Sequence, residues 1–225
     1  IRFTQALARV RHFDSLPAAV QDALADAAVY CQFPAGELIY MEGEPARKMY
    51  ILETGWVKSI RVSLEGREQA LLFLREGEVF GDISIFAGAP YPCTVTALEP
   101  VKAWSIDQET LLRLVQQHPE LALAVIRRLS ERVIHFVGFV EDLALHSVES
   151  RLAGTLIKHA VSDGDRLIVP RRAWTTFDEM AVRLGTVRDV LARALRSLEQ
   201  EGLIQVDKQS ITILNLEGLT ERGNS

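Results

Sequence analysis

The sequence predicts an α+β protein built from an antiparallel β-roll, a long helix and a winged helix-turn-helix. Short runs rich in β-branched and aromatic residues, divided by glycines, fill the chain from Phe33 to Ile106. Apolar residues then repeat every seven positions after Pro119. Two short helical patterns later meet at Gly185 and precede an alternating strand pattern. We therefore place the three parts at 1–118, 119–146 and 147–225.

The β-roll follows an amphipathic helical segment predicted around Pro17 to Tyr30. Many short strands with glycine turns and no helices between them are typical of an antiparallel sandwich or barrel. The predicted strands are ELIYM (37–41), MYILE (49–53), WVKSIRV (56–62), QALLFL (69–74), CTVTAL (93–98) and VKAWSI (101–106). The charged residues LEGRE (64–68) predict an exposed hairpin turn between two of them.

The long helix is predicted from Pro119, a favourable first helical residue, to about Leu145. Its apolar residues that recur with a seven-residue period are here called the seam: Ile126, Leu129, Val133, Phe136, Val140 and Leu143. A seam of this kind needs a partner helix. A second apolar face with Ile134, Val137 and Phe139 is free to dock on the β-roll, so we predict a parallel homodimer rather than only a long core helix.

The helix-turn-helix is predicted from local signals at its ends. Ser147 can cap a helix that precedes the helix-turn-helix and should run from Val148 to about Val161. Thr176 followed by Glu179 forms a capping box that starts the first helix of the pair. Gly185 lacks a Cβ, so it can end that helix in the left-handed conformation. The segment LIQVDKQSITIL (203–214) predicts the hairpin wing.

The second helix of the pair has two faces. Its predicted buried stripe is Val187, Val190, Leu191, Ala194, Leu195 and Leu198. Arginine side chains on the opposite face can pair with guanine, and a carboxylate can accept from cytosine. The predicted DNA contacts are Thr176, Thr186, Val187, Arg188, Asp189, Arg193 and Arg196. The alternative is a solvated helix whose charges pair with neighbours on its own surface.

Charge and composition limit the function classes. A net charge of −5 over 225 residues argues against indiscriminate coating of nucleic acid. Residues 166–196 nevertheless hold seven arginines against three acids, so positive charge gathers around the helix pair. The chain has no long apolar run and no secretion-signal pattern, and it has two cysteines, Cys31 and Cys93. We therefore predict a soluble protein in a reducing cytoplasm.

The order of these parts resembles the Crp/Fnr superfamily of bacterial transcription regulators. The resemblance rests on the β-roll, the motif FGDISIF (80–86), the long helix, and R-D-x-x-x-R at Arg188, Asp189 and Arg193. It covers nearly the whole chain. It implies a homodimer that binds an inverted-repeat operator in promoter DNA, contacts RNA polymerase and responds to a small-molecule effector bound between the β-roll and the long helix.

The effector site that this resemblance implies departs from the cyclic-nucleotide binders of the family. Those proteins have a Gly-Glu pair for the ribose, an Arg-Ser or Arg-Thr pair for the phosphate, and two hydroxyl residues against the adenine. The matching positions in this sequence are Gly81, Asp82, Tyr91, Pro92, Cys93, Phe136 and Val137. A phosphate needs a charge-assisted or backbone donor, and this set contains no cation. We predict a pocket without polar ends, and an effector that is not a cyclic nucleotide.

Other function classes have weaker support in the sequence. No catalytic triad, paired-carboxylate cleft, phosphate loop or metal-ligand spacing predicts an enzyme, and a cupin-like site would need histidines in the β-roll. An iron–sulfur cluster needs about four thiolates. We predict no cofactor, with haem left open by the histidines His12, His118, His135, His146 and His159. The remaining alternative is a ligand-binding or oligomerisation module with a vestigial winged helix.

Overall fold

A computed structural model describes residues 2–62, 68–170 and 176–224. The chain divides into two compact units, Ile1–Ile134 and His135–Ser225, and the division falls inside the long helix. The domain boundary expected near Leu145 to Ser147 stays a prediction. The expected LEGRE turn falls almost wholly on residues 63–67, outside the described part, although the strands on either side of it pair antiparallel.

The first unit is an antiparallel β-roll with flanking helices, as predicted. Its sheets have the strand orders β1-β8-β3-β6 and β2-β7-β4-β5, and the described strands in them pair antiparallel. Its elements are α1 (Arg2–Leu7), α2 (Ala18–Ala27), β1 (Val29–Phe33), β2 (Leu38–Tyr40), β3 (Lys48–Thr54), β4 (Val57–Val62), β5 (Glu68–Leu74), β6 (Val79–Phe80), α3 (Asp82–Ala87), β7 (Thr94–Ala97), β8 (Val101–Asp107), α4 (Gln108–Gln117) and the start of α5 (Pro119–Leu145).

The core of this unit lies between the two sheets and the helices that cover them. Strand β3 is buried over four successive residues, Met49 to Leu52, because both of its faces are covered. The first turns of α5 add Leu121, Ala124 and Val125 to the same core. The long helix is thus fixed to the β-roll at its start, and it begins at Pro119 as predicted.

Two predictions for this unit are wrong. The first helical segment does not reach Tyr30: α2 ends at Ala27, and the next residues form β1, which pairs with β8. The expectation of no helix among the strands fails at α3, which Gly81 and Gly88 bracket in left-handed conformations. A Cβ at position 81 would lie 2.6 Å from the carbonyl oxygen of Lys48, so only glycine fits there.

The second unit contains the winged helix-turn-helix. Its elements after α5 are α6 (Val148–His159), β9 (Val161–Asp163), β10 (Arg166–Pro170), α7 (Phe177–Arg183), α8 (Arg188–Gln200), β11 (Ile204–Val206), β12 (Ser210–Ile213) and α9 (Leu216–Gly223). The strands form one antiparallel sheet in the order β11-β12-β10-β9. Sequence reasoning missed α1 and α9, whose buried residues, such as Phe3 and Leu219, complete the cores of their units.

No helix in the described parts of the chain combines the length and the apolar character needed to cross a membrane.

Candidate nucleic-acid interface and effector pocket

The turn between α7 and α8 is fixed by the residues that predicted it. The hydroxyl of Thr176 accepts a hydrogen bond from the Glu179 backbone N–H at 3.1 Å, which starts α7. Gly185 has a φ of 62° and ends that helix. The carboxylate of Glu179 is fully buried and accepts from the Arg183 guanidinium at 3.0 Å. These contacts fix both ends of α7, the helix that precedes α8.

Helix α8 buries one face and exposes the other. Leu191, Ala194, Leu195 and Leu198 lie in the core of the second unit. Val187, assigned to the buried stripe, is instead 53% exposed because it is the N-cap residue and has left the helical period. Arg188, Asp189, Arg193 and Arg196 stay exposed on α8, as do Glu199 and Gln200 at its end.

The exposed charges are only loosely engaged by the protein. Arg188 Nη1 lies 3.8 Å from a carboxylate oxygen of Asp178 on α7, and both side chains are more than half exposed. Such surface pairs contribute little to stability and are easily exchanged for another anion. Within the described residues, Arg193 and Arg196 make no ion pair. The surface-pairing alternative therefore applies to Arg188 alone, and there only weakly.

The first turn of α8 has no side-chain cap. Val187 offers no side-chain acceptor, so the first backbone N–H groups of this helix receive no hydrogen bond from the N-cap side chain. A helix N-terminus of this kind favours a phosphate group. In the same unit, β11 and β12 pair antiparallel, and the Asp207 N–H donates to the Ser210 carbonyl at 2.9 Å, which forms the predicted wing.

Tyr91 lies in the β-roll, where the resemblance expects a phosphate-binding residue. Its ring is 4% exposed and stacks on Tyr40 at 3.8 Å between centroids. Its hydroxyl donates to the Lys48 carbonyl at 2.8 Å and accepts from the Lys48 N–H at 3.0 Å. Burial raises the pKa of this phenol despite the two backbone bonds. Tyr91 is thus a packed core residue, with its polar end already satisfied.

Asp82, one of the predicted effector positions, has a buried counter-ion, while the pocket without polar ends stays a prediction. The carboxylate of Asp82 is fully buried and forms an ion pair with Arg128 of α5, whose side chain is 11% exposed. Burial, with the nearby charge of Arg132, lowers the pKa of Arg128 to about 10. Sequence reasoning missed this cation because it follows Asp82 by 46 residues. The adjacent Arg127 and Arg128 were the only local signal.

The remaining predicted pocket residues differ in exposure. Pro92 is exposed, and Cys93 is half-buried with a free thiol. Phe136 and Val137 belong to the second unit and are 63% and 60% exposed. Their role in an effector pocket stays a prediction. Within the described ranges, no three histidine, cysteine, aspartate or glutamate side chains gather to hold a metal ion.

The seam of α5 is largely uncovered in the single chain. Leu129 is partly buried against the β-roll core, and the other seam side chains are between 40% and 63% exposed: Ile126, Val133, Phe136, Val140 and Leu143. The second apolar face is not uniform. Ile134 and Val137 are exposed, whereas Phe139 is half-buried and approaches Gly185.

A helix-turn-helix with an exposed arginine face, joined to a β-roll, defines a class of ligand-regulated DNA-binding proteins. A family model described as the cyclic nucleotide-binding domain matches residues 30–118, and one described as the Crp-like helix-turn-helix domain matches residues 150–222. Together they span more than two thirds of the chain. The chain belongs to the Crp/Fnr family of transcription regulators.

Similar proteins with different names match over most of their length. A CRP-like cAMP-activated global transcriptional regulator of Mycobacterium tuberculosis is 29% identical over 97% of this chain and 98% of its own. A global nitrogen regulator of Synechococcus elongatus is 29% identical over 85% of this chain and 88% of its own. A CRP/FNR-family transcriptional regulator of Thermus thermophilus has a solved structure with a TM-score of 0.63 and 25% identity, covering 88% of this chain and 99% of that one.

Proposed function

We propose that this protein binds an inverted-repeat operator as a homodimer and regulates transcription in response to an effector that is not a cyclic nucleotide. The observation that carries the DNA-binding part is helix α8. One of its faces is buried in the core, while Arg188, Asp189 and Arg193 of its first turns are exposed to solvent. Contact with RNA polymerase follows from the same family resemblance and completes the proposed set of partners.

The dimer is supported by the uncovered seam of α5. A helix that exposes Val133, Phe136 and Val140 at seven-residue and three-residue steps leaves a continuous apolar stripe in water. Pairing with a second copy of α5 buries this stripe. In a dimer with a two-fold axis, the two copies of α8 would enter successive major grooves, with half-sites about 10 base pairs apart.

The first experiment is selection from a random duplex library with the purified protein. We expect enrichment of an inverted repeat. Arg188→Ala and Arg193→Ala are each expected to weaken binding by about 1–3 kcal/mol and to flatten base preference at one position per half-site, as loss of a bidentate base contact does.

Arg113→Ala is the matched control, because Arg113 is an exposed arginine on α4 of the β-roll. It should leave the selected sequence and its affinity unchanged. Equal weakening on every sequence would assign Arg188 and Arg193 to phosphate contacts. No enrichment of any sequence by the wild-type protein would favour the vestigial-winged-helix alternative.

Relatives of equal identity carry the names of a cAMP-activated and a nitrogen regulator, so the effector class is argued from the contacts of this chain. Two contacts support an effector other than a cyclic nucleotide. Tyr91, at the position where the family resemblance implies a phosphate-binding residue, makes both of its hydrogen bonds to Lys48. Arg128 is neutralised by Asp82, so a phosphate would have to break a buried ion pair to reach it.

We therefore expect no saturable binding of cyclic AMP or cyclic GMP by calorimetry at up to about 1 mM ligand, a limit that corresponds to roughly 4 kcal/mol of binding free energy. Saturable binding by the wild-type protein, abolished by Arg128→Met, would show that the phosphate displaces Asp82 and would refute the proposed effector class.

No bound cofactor is part of this proposal. A cluster of iron and sulfur needs about four thiolates, and the sequence has two cysteines, both free thiols. The effector that we propose is uncharged or aromatic, in keeping with the stacked rings of Tyr40, Tyr50 and Phe80 beside Tyr91.

A further inference from the structure

The side chain of Arg151 joins the ends of two helices in the second unit. Its Nε donates to the carbonyl of Leu184, the C-cap residue of α7, at 3.0 Å. Its Nη1 donates to the carbonyl of His146, just beyond α5, at 2.6 Å, with a longer contact of 3.5 Å to the carbonyl of Asp142. One guanidinium thus binds the carbonyls at the end of the long helix and at the recognition turn.

The position of Arg151 in its own helix is unfavourable. It lies in the first turns of α6, which starts after the N-cap Ser147, and a cation near a helix N-terminus opposes the helix dipole. The C-terminal ends of α5 and α7 favour a cation for the same reason. Burial lowers the pKa of Arg151, although the nearby Asp142 opposes that shift. The charge of Arg151 is therefore stabilised by the carbonyl groups at the ends of α5 and α7, and not by the dipole of α6.

The same junction is also closely packed. A Cβ added to Gly185 would lie 2.5 Å from Leu143 Cδ2 and 2.8 Å from Phe139 Cζ. The turn before α8 therefore rests directly on the last turns of α5. All of these residues belong to the second unit, which also contains Phe136 and Val140 of the seam. The end of the predicted dimer seam and the recognition helix are parts of one compact body.

We infer that Arg151 is a positioning residue for DNA recognition: it fixes the recognition turn to the end of the dimer helix and so sets which half-site spacing the dimer accepts. The inference rests on the proposed function. A planar guanidinium can serve two carbonyl groups in different directions at once, which a lysine ammonium on a flexible stem does not reproduce. Arg151 itself need not touch DNA.

The test uses the inverted repeat selected by the wild-type protein, together with duplexes whose half-sites are moved one or two base pairs closer or further apart. Each added base pair turns one half-site by about 35° around the duplex, so a rigid dimer rejects it. We expect the wild-type protein to prefer its selected spacing by at least about tenfold, comparable with a mismatched base pair. Arg151→Lys and Arg151→Gln should reduce that preference to within about threefold.

Three further measurements separate positioning from simple destabilisation. Binding to a duplex with a single half-site should change by less than about twofold in the Arg151 variants, because Arg188 and Arg193 remain. Arg222→Ala is the matched control: it removes the partly exposed ion pairs with Glu201 and Glu149 in the same unit and should keep the wild-type spacing profile. Phe139→Leu loosens the packing at Gly185 by another route and should flatten the profile as well.

The outcomes distinguish a failure of the Arg151 inference from a failure of the proposed function. If the wild-type protein selects an inverted repeat and both Arg151 variants, folded by circular dichroism, keep its spacing profile, the inference is overturned and the proposed function stands. Uniform weakening at every spacing in step with a lower Tm would also overturn it, since that is the result of a purely structural role. If the wild-type protein selects no inverted repeat, the proposed function fails and the inference fails with it.

Discussion

Val133→Glu is expected to convert the dimer into a folded monomer. Val133 is 62% exposed in the single chain, so glutamate costs little there, and it is a better helix former than valine. In a symmetric seam, however, each new carboxylate would be buried against its own symmetry mate, at a cost of several kcal/mol. Sedimentation at about micromolar concentration should show one chain per particle, with an unchanged far-ultraviolet circular dichroism spectrum.

The control for this prediction is Ile134→Glu, on the same turn of α5. Ile134 is 70% exposed but lies outside the sevenfold repeat, so the dimer should persist. A Val133→Glu protein that still sediments as a dimer would show that the seam is misassigned. Loss of the dimer in both variants would indicate an interface wider than the repeat.

Asp82→Leu is expected to destabilise the β-roll by about 3–5 kcal/mol, because it leaves the buried Arg128 guanidinium without its counter-ion. The double substitution Asp82→Leu, Arg128→Met replaces both charges by apolar groups of similar size and should recover most of that loss. Urea denaturation followed by tryptophan fluorescence is suitable, since Trp56 and Trp104 both lie in the same unit as the pair.

An exposed pair in the same unit provides the comparison. Glu42 accepts from Arg61 on β4, whose side chain is 61% exposed, so Glu42→Ala should cost no more than about 1 kcal/mol. If Asp82→Leu cost no more than this control, the pair with Arg128 would be of little structural importance. Arg128 would then be available to an anionic effector, contrary to the proposed effector class.

The elements that the sequence predicted best are those with signals close together in the chain. Thr176 and Gly185 fix both ends of α7 through contacts within a few residues, and Ser147 caps α6 by accepting from the Ser150 N–H. Pro119 likewise marks the first residue of α5. Caps and turns depend on local backbone geometry, so the residues that form them can be recognised without knowing the fold.

The errors arise where distant parts of the chain decide the outcome. Val29 begins a strand because β8, more than seventy residues later, pairs with it through Ser105. The helical period that precedes Val29 carries no sign of that pairing. The contact between Asp82 and Arg128 is equally remote. Val187 is a local error. The apolar period of α8 continues through Val187 in the sequence, but the helix starts one residue later, at Arg188.

The two faces of α8 also bear on how this domain could change its target over generations. Leu191, Leu195 and Leu198 are fully or almost fully buried, so most substitutions there would unfold the domain. Residues 188, 189 and 193 lie in solvent, where substitutions usually alter stability by no more than about 0.5 kcal/mol. A regulator arranged in this way can acquire a new operator by single steps on one surface while its fold is retained.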